Sequence, residues 1–205
     1  ENFLYLNEYR QAFKNGFLTL DTSYTSGYKS KTKKQTDGSR NHFFTDLFFD
    51  LGKDKSYDSN LSLKIQRTSN DTYFRAHDIN TALVDSSNTD LTNEIGYQFS
   101  KNDMYVNVFT TVHENLREDS NARYEYILPN IMYGKTFFSD KFGIIDFKSN
   151  ALHRNYDVNK HTTFFNNDII WSPGNKITRK GFVNTIEGII SNINYNASDT
   201  TDYKN

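Results

Sequence analysis

Cysteine is absent from the 205 residues, which removes disulfide frameworks, thiolate metal centres and cysteine nucleophiles from consideration. No stretch approaches the roughly 18 consecutive apolar residues of a membrane helix, and the mean hydropathy is -0.77. A helical membrane protein is therefore excluded. A barrel wall is not, because only every second residue of a transmembrane strand faces lipid. Proline occurs twice, against 14 Tyr and 17 Phe, a balance that favours strands over helices or disorder. Neither sign of charge dominates: the formal net charge is -1, so nucleic acid is not an expected partner. The length suits one core in a single domain. With Glu1 in first place and no initiator Met or signal peptide, the chain is expected to be an excised or incomplete segment of a longer exported protein.

Strand-forming stretches recur along almost the whole chain, near 16–27, 41–51, 57–68, 89–100, 104–113, 125–137, 142–153, 162–171 and 177–195. The connections at 28–40, 69–88, 114–124 and 154–161 are long and polar, whereas those at 52–56, 101–103 and 139–141 are tight. Antiparallel strands crossing a bilayer are joined by turns on one side and freer loops on the other, so loop length follows strand parity. A soluble sandwich has no reason to keep that parity.

The faces alternate with a period of two. Leu18 and Leu20 oppose Thr19 and Asp21; Leu61, Leu63 and Ile65 oppose Ser62, Lys64 and Gln66; Met104, Val106 and Val108 oppose Tyr105, Asn107 and Phe109. Asp46 and Asp50 oppose Phe43, Leu47, Phe49 and Leu51, and Glu94 opposes Leu91 and Ile95. Asn167 and Asn184 interrupt the later apolar faces. A soluble sheet with one wet face obeys the same rule. Aromatic placement tips the balance, because Tyr24, Tyr28, Phe43, Tyr57, Tyr97, Phe99, Phe137, Phe138, Phe142 and Trp171 gather near strand ends, where interfacial girdles sit.

Residues for chemistry do not converge. His42, His77, His113, His153 and His161 show no metal spacing, and His42, His113 and His153 read as solvated strand termini. Asp46 and Asp50 share a face but stand roughly 13 Å apart along one strand, too far for paired acid and base work without a neighbour. No phosphate loop or nucleophile elbow is present, so neither an enzyme nor a metal or other cofactor is expected. Lys29, Lys31, Lys33 and Lys34 offer point charges for phosphate but read first as a solvated hairpin tip. The 69–88 loop, with Arg75, His77 and Asp78, is long enough to fold inward over the sheet, and an Arg–Asp pair within it is one way to stabilise its fold.

Two local stretches are more specific. Asn7-Glu8-Tyr9-Arg10 followed by Phe13 and Asn15-Gly16, and Asp71-Thr72-Tyr73-Phe74-Arg75 with Asp78-Ile79, resemble the barrel domain of the lipopolysaccharide-assembly LptD (OstA) family in its alphaproteobacterial form. Leu18-Thr19-Leu20-Asp21, Gln66-Arg67, Leu128-Pro129 and Asn150-Ala151-Leu152 follow in matching order, so the resemblance spans about residues 3–195. It implies an all-β, antiparallel up-and-down meander, residues 1–205 forming part of the wall of a large transmembrane β-barrel in the cell outer membrane; the segment departs from the whole family in showing no N-terminal jelly-roll domain and too few strands to close so wide a barrel. It also implies transport of lipopolysaccharide to the outer leaflet with a plug lipoprotein (LptE-like) and periplasmic bridge proteins as partners. Alternation then nominates Asp21, Asp46, Asp50, Lys64, Gln66, Glu94, Asn107, Asp146 and Lys148 as lumen-lining, and Leu18, Leu20, Leu61, Leu63, Ile65, Val106 and Val108 as lipid-facing. The alternatives are a soluble carbohydrate-binding or structural β-domain and a different outer-membrane porin or receptor.

Overall fold

Ten strands follow one another across a single antiparallel sheet, each beside the preceding strand of that sheet. The computed structural model describes residues 3–28, 36–53, 55–118, 122–156 and 160–198, with the side chains of 27–28 and 36–39 left out. The strands are β1 (Leu4–Phe13), β2 (Gly16–Tyr28), β3 (Thr36–Asp50), β4 (Asp58–Thr68), β5 (Asp90–Lys101), β6 (Met104–Asn115), β7 (Tyr124–Ser139), β8 (Gly143–Tyr156) and β9 (Lys160–Ser172). A two-stranded hairpin, β10 (Lys176–Ile177) with β11 (Val183–Asn184), intervenes before β12 (Gly188–Ser198) closes the sheet order. One short helix, α1 (Tyr73–His77), lies between β4 and β5. The meander expected from the sequence is present, and β1 and β12 are open edges, so the sheet does not close into a barrel.

Three expectations need correction. The expected strands begin at residue 16, whereas β1 is a full strand before it. The stretch 177–195 is not one strand, since it divides into the β10–β11 hairpin and β12. Loop alternation is weaker than it looks in the sequence: β8 and β9 continue to Tyr156 and from Lys160, which shortens their connection to 157–159. Pro129 sits inside β7, where the β7–β8 register shifts between Ile127 and Asn130; a residue without an N–H is tolerated at such an irregularity. Lys29, Lys31, Lys33 and Lys34 lie outside the described residues.

Register fixes the two faces. One row runs Thr19, Asp46, Lys64, Glu94 and Thr111 across β2 to β6, so charges of alternating sign stand beside one another, the favourable cross-strand order. The adjacent row on the opposite face runs Leu18, Leu47, Leu63, Ile95 and Thr110. A half-residue of slip would be impossible and a whole one would exchange the faces. On the polar face the ring of Tyr105 lies over Gly134, where an added Cβ would come within 2.2 Å of Tyr105 Cε1.

The buried core is small and lies at one end of the sheet. Phe44, Tyr73, Phe74, Ile79, Val84, Leu91 and Leu116 form it, with four of the seven supplied by the 69–89 connection. The room for that connection comes from a split in the sheet. Pairing of β4 with β5 runs from Asp58 opposite Ser100 to Lys64 opposite Glu94, and the strands then diverge. Two amide side chains bridge the gap: the Gln66 backbone N–H donates to Asn93 Oδ1 at 2.9 Å, and the Thr92 N–H donates to Gln66 Oε1 at 2.7 Å. Backbone donors that lose their ladder partners are thereby kept satisfied.

Candidate functional site

The 69–89 connection folds onto the polar face and fastens there through a buried polar chain. Asn70 Oδ1 accepts from the Thr72 N–H and hydroxyl and orders the start of α1. Asp78, at φ 47°, ends the helix and donates its N–H to Phe74 O. This one-turn helix presents Tyr73 and Phe74 to the sheet. Phe74 packs edge-on to Phe44 at 5.3 Å and to His42 at 5.5 Å.

Tyr73 carries the polar contact. Its hydroxyl is 2.7 Å from Ser23 Oγ, which is 2.5 Å from His42 Nδ1, while His42 Nε2 is 2.9 Å from Asp21 Oδ1. With His42 protonated on Nε2, that N–H donates to Asp21, Ser23 donates to Nδ1, and Tyr73 donates to Ser23. Every hydrogen in the chain is then used. Asp21 Oδ2 is buried without a partner, a cost that the surrounding packing must offset. Burial raises the Tyr73 phenol above its usual range, with the Ser23 hydrogen bond opposing the rise.

The order Ser, His, Asp invites comparison with a catalytic triad. Here the imidazole is turned the other way, with Nδ1 to the serine and Nε2 to the carboxylate. Ser23 is 6% exposed and Tyr73 0%, and the tyrosine hydroxyl stands 2.7 Å from Oγ. The geometry is that of a fastening.

A second tie joins this connection to the next one. Arg123 donates from Nη2 to Asp71 Oδ1 at 2.7 Å and to Glu114 Oε1 at 2.6 Å, and from Nε to Glu114 at 2.8 Å. The Asp71 bond, followed by the Glu114 contacts, holds the guanidinium above its ordinary range against the opposing effect of burial. Arg75 is exposed, and among the described residues no ion pair joins it to Asp78; the cation that braces this connection comes from 116–123 instead. His77 stands edge-on to Tyr73 at 5.0 Å, its Nε2 buried without a partner. Burial first, and the charge of Arg40 second, lower its pKa.

The nominated residues separate cleanly by register. Asp21, Asp46, Asp50, Lys64, Gln66, Glu94, Asn107, Asp146 and Lys148 share one face, and Leu18, Leu20, Leu61, Leu63, Ile65, Val106 and Val108 share the other. Asp21 and Gln66 are covered, however, Asp21 by the fastening and Gln66 by the split in the sheet. Asp46 and Asp50 do not come together: Asp46 stands opposite Lys64, and Asp50 Oδ1 accepts from the Gly52 N–H. His42 is 2% exposed, contrary to its reading as a solvated terminus, whereas His153 is a surface residue bonded to Thr163 at 2.9 Å. Among the described residues no cluster of His, Asp and Glu is arranged to hold a metal.

The apolar face is uncovered. Tyr9, Tyr24, Phe43, Ile95, Tyr97, Phe165 and Trp171 all belong to it by register and are all exposed. Around its tight-turn margin Phe13 meets Phe49 at 5.3 Å and Tyr57 meets Phe99 at 5.5 Å, and the Trp171 indole N–H donates to Phe142 O at 2.6 Å. The Tyr28 side chain lies outside the described residues. The chain matches no protein-family model, no curated protein and no solved structure.

Proposed function

We propose that this chain forms part of the wall of an LptD-like outer-membrane barrel that delivers lipopolysaccharide to the outer leaflet, acting by transport rather than catalysis. The observation that carries the reading is the uncovered apolar face, which continues from β1 to β9 while the chain folds its own connection against the opposite, polar face. Contiguous apolar patches on soluble monomers seldom exceed a few hundred Å², roughly 300 to 600 at the largest. The uncovered face spans nine neighbouring strands, roughly 40 Å at about 4.8 Å per strand, and lipid is the solvent that suits its exposed aromatic and aliphatic side chains. The two open edges agree with a wall segment, since unpaired backbone is not tolerated in hydrocarbon.

On this reading the polar face looks into a wet lumen. Lys64, Glu94, Asn107, Asp146 and Lys148 would meet the glycan head, and the 69–89 connection would stand as a fixed inward projection narrowing the passage. The plug lipoprotein and the periplasmic bridge belong to the same proposal. A photo-crosslinking residue at position 107 in cells making the protein should capture lipopolysaccharide, and one at position 65 should capture bulk membrane lipid. Lipopolysaccharide captured at neither site would contradict the transport role.

A further inference from the structure

The connection between β9 and β12 is long at the end of the sheet where the other turns are tight, and it carries a hairpin of its own. Ile177 and Val183 are direct partners across β10 and β11 and so lie side by side; they are 72% and 60% exposed, and Phe182 beside them is 66% exposed. The tip is locally built. The Thr178 N–H donates to Phe182 O at 2.8 Å, the Gly181 N–H to Thr178 O at 2.9 Å, and the Phe182 N–H to Thr178 Oγ1 at 3.1 Å. Gly181, at φ 83°, takes the left-handed conformation that the turn requires. A two-stranded hairpin is marginal by itself, and this one spends no apolar side chain on the sheet.

Its charge is one-sided. Lys176, Arg179 and Lys180 stand against Glu187 alone in 173–187, and among the described residues none of the three cations has an ion-pair partner. Apolar residues beside unpaired cations suit an interface that is apolar within and phosphate-bearing above. The same end of the sheet carries a lysine at each tight turn, Lys14, Lys53, Lys101 and Lys141, although Asp54, Asp103 and Asp140 accompany the last three, so the one-sided charge belongs to the hairpin. Two lysines there lie over rim aromatics: Lys55 is 5.1 Å from the Tyr57 ring centroid and Lys141 is 5.3 Å from that of Phe142. Net positive charge at this end is thus concentrated on the hairpin, where three cations stand beside three exposed apolar side chains, the composition that suits a headgroup layer over hydrocarbon.

We propose that the β10–β11 hairpin docks on a leaflet of anionic phospholipid at the tight-turn end of the sheet, an inference that rests on the membrane reading given above. Lys176, Arg179 and Lys180 would lie at the phosphates, with Ile177, Phe182 and Val183 below them. Near an anionic surface each cation contributes on the order of fivefold, so the three together are expected to shift docking by about a hundredfold.

Because the chain has no cysteine, a fluorophore can be placed by a single T185C substitution. The protein is reconstituted in phosphatidylethanolamine vesicles with and without about one-third phosphatidylglycerol, each carrying a headgroup-attached quencher. The expected result is strong quenching only with phosphatidylglycerol, lost in the K176Q/R179Q/K180Q variant. Equal quenching in both lipids, or none in either, overturns the proposal, as does quenching of the triple variant like the parent. Protection of the fluorophore only after addition of a periplasmic extract would mean a protein partner and would also overturn it. A second label at position 65 or 108 separates the two levels: if the hairpin label responds and those do not, docking stands and the barrel reading fails.

Discussion

Replacing Phe74 by Ala should release the 69–89 connection from the polar face without unfolding the sheet. Phe74 is 1% exposed and packs against His42 and Phe44, and truncating a buried phenylalanine costs about 3 to 5 kcal/mol. Little of that loss falls on the strand ladders, because the ring belongs to the connection. The ratio of docked to undocked connection should therefore drop by roughly two to four orders of magnitude. Tyr73→Phe removes only the hydroxyl from Ser23 and keeps the ring, so a loss of about 0.5 to 1.5 kcal/mol follows. A nitroxide at an R75C substitution, exposed at the top of α1, reports docking through its mobility. The expected order is parent, Tyr73→Phe, Phe74→Ala, from least to most mobile. Equal immobilisation in parent and Phe74→Ala would refute the argument, and so would a Tyr73→Phe variant more mobile than Phe74→Ala.

The same label should report a pH dependence. His77 is depressed in the folded state, mainly by burial, so the unfolded or undocked form binds the proton more readily. Docking is then complete above about pH 6.5 and weakens as pH falls through the folded-state value; His77→Gln should flatten the curve, and an unchanged slope in that variant would place its origin elsewhere. Ile65→Arg and Val108→Arg should each cost roughly 2 to 4 kcal/mol in a lipid-embedded wall, whereas Asn107→Arg should fold like the parent, as measured by urea titration in vesicles. Gly134→Ala should push Tyr105 off its seat, which a rise in the mobility of an adjacent label would show, while a tyrosine unmoved by the new methyl would contradict the packing described.

The strands were legible because period-two alternation survives in nearly all of them. β1 was not, since Asn7, Glu8, Arg10 and Gln11 spread polar groups over both of its faces, and an edge strand has only one neighbour to satisfy. The last stretch misled for the opposite reason: isoleucines at 177, 186, 189, 190 and 193 look like one continuous strand, and the punctuation that divides it lies in Gly181 and Gly188. The face assignments followed from alternation alone, because register merely extends it across strands. The fastening could not be read. Ser23 lies 19 residues from His42 and 50 from Tyr73, and contacts at that distance leave no periodic trace. The signal that was available was chemical: a histidine on the strand that faces Asp21, and a tyrosine and phenylalanine adjacent in an otherwise polar connection.

In the proposed wall the uncovered face meets lipid and the other face meets water. Single labels at positions 63, 65, 106 and 108 of the reconstituted full-length protein should be quenched by lipid-soluble quenchers, and labels at 62, 64 and 107 by aqueous ones. Aqueous quenching of the first set with lipid quenching of the second would reverse the faces, and protection of both sets from lipid would contradict the membrane assignment altogether.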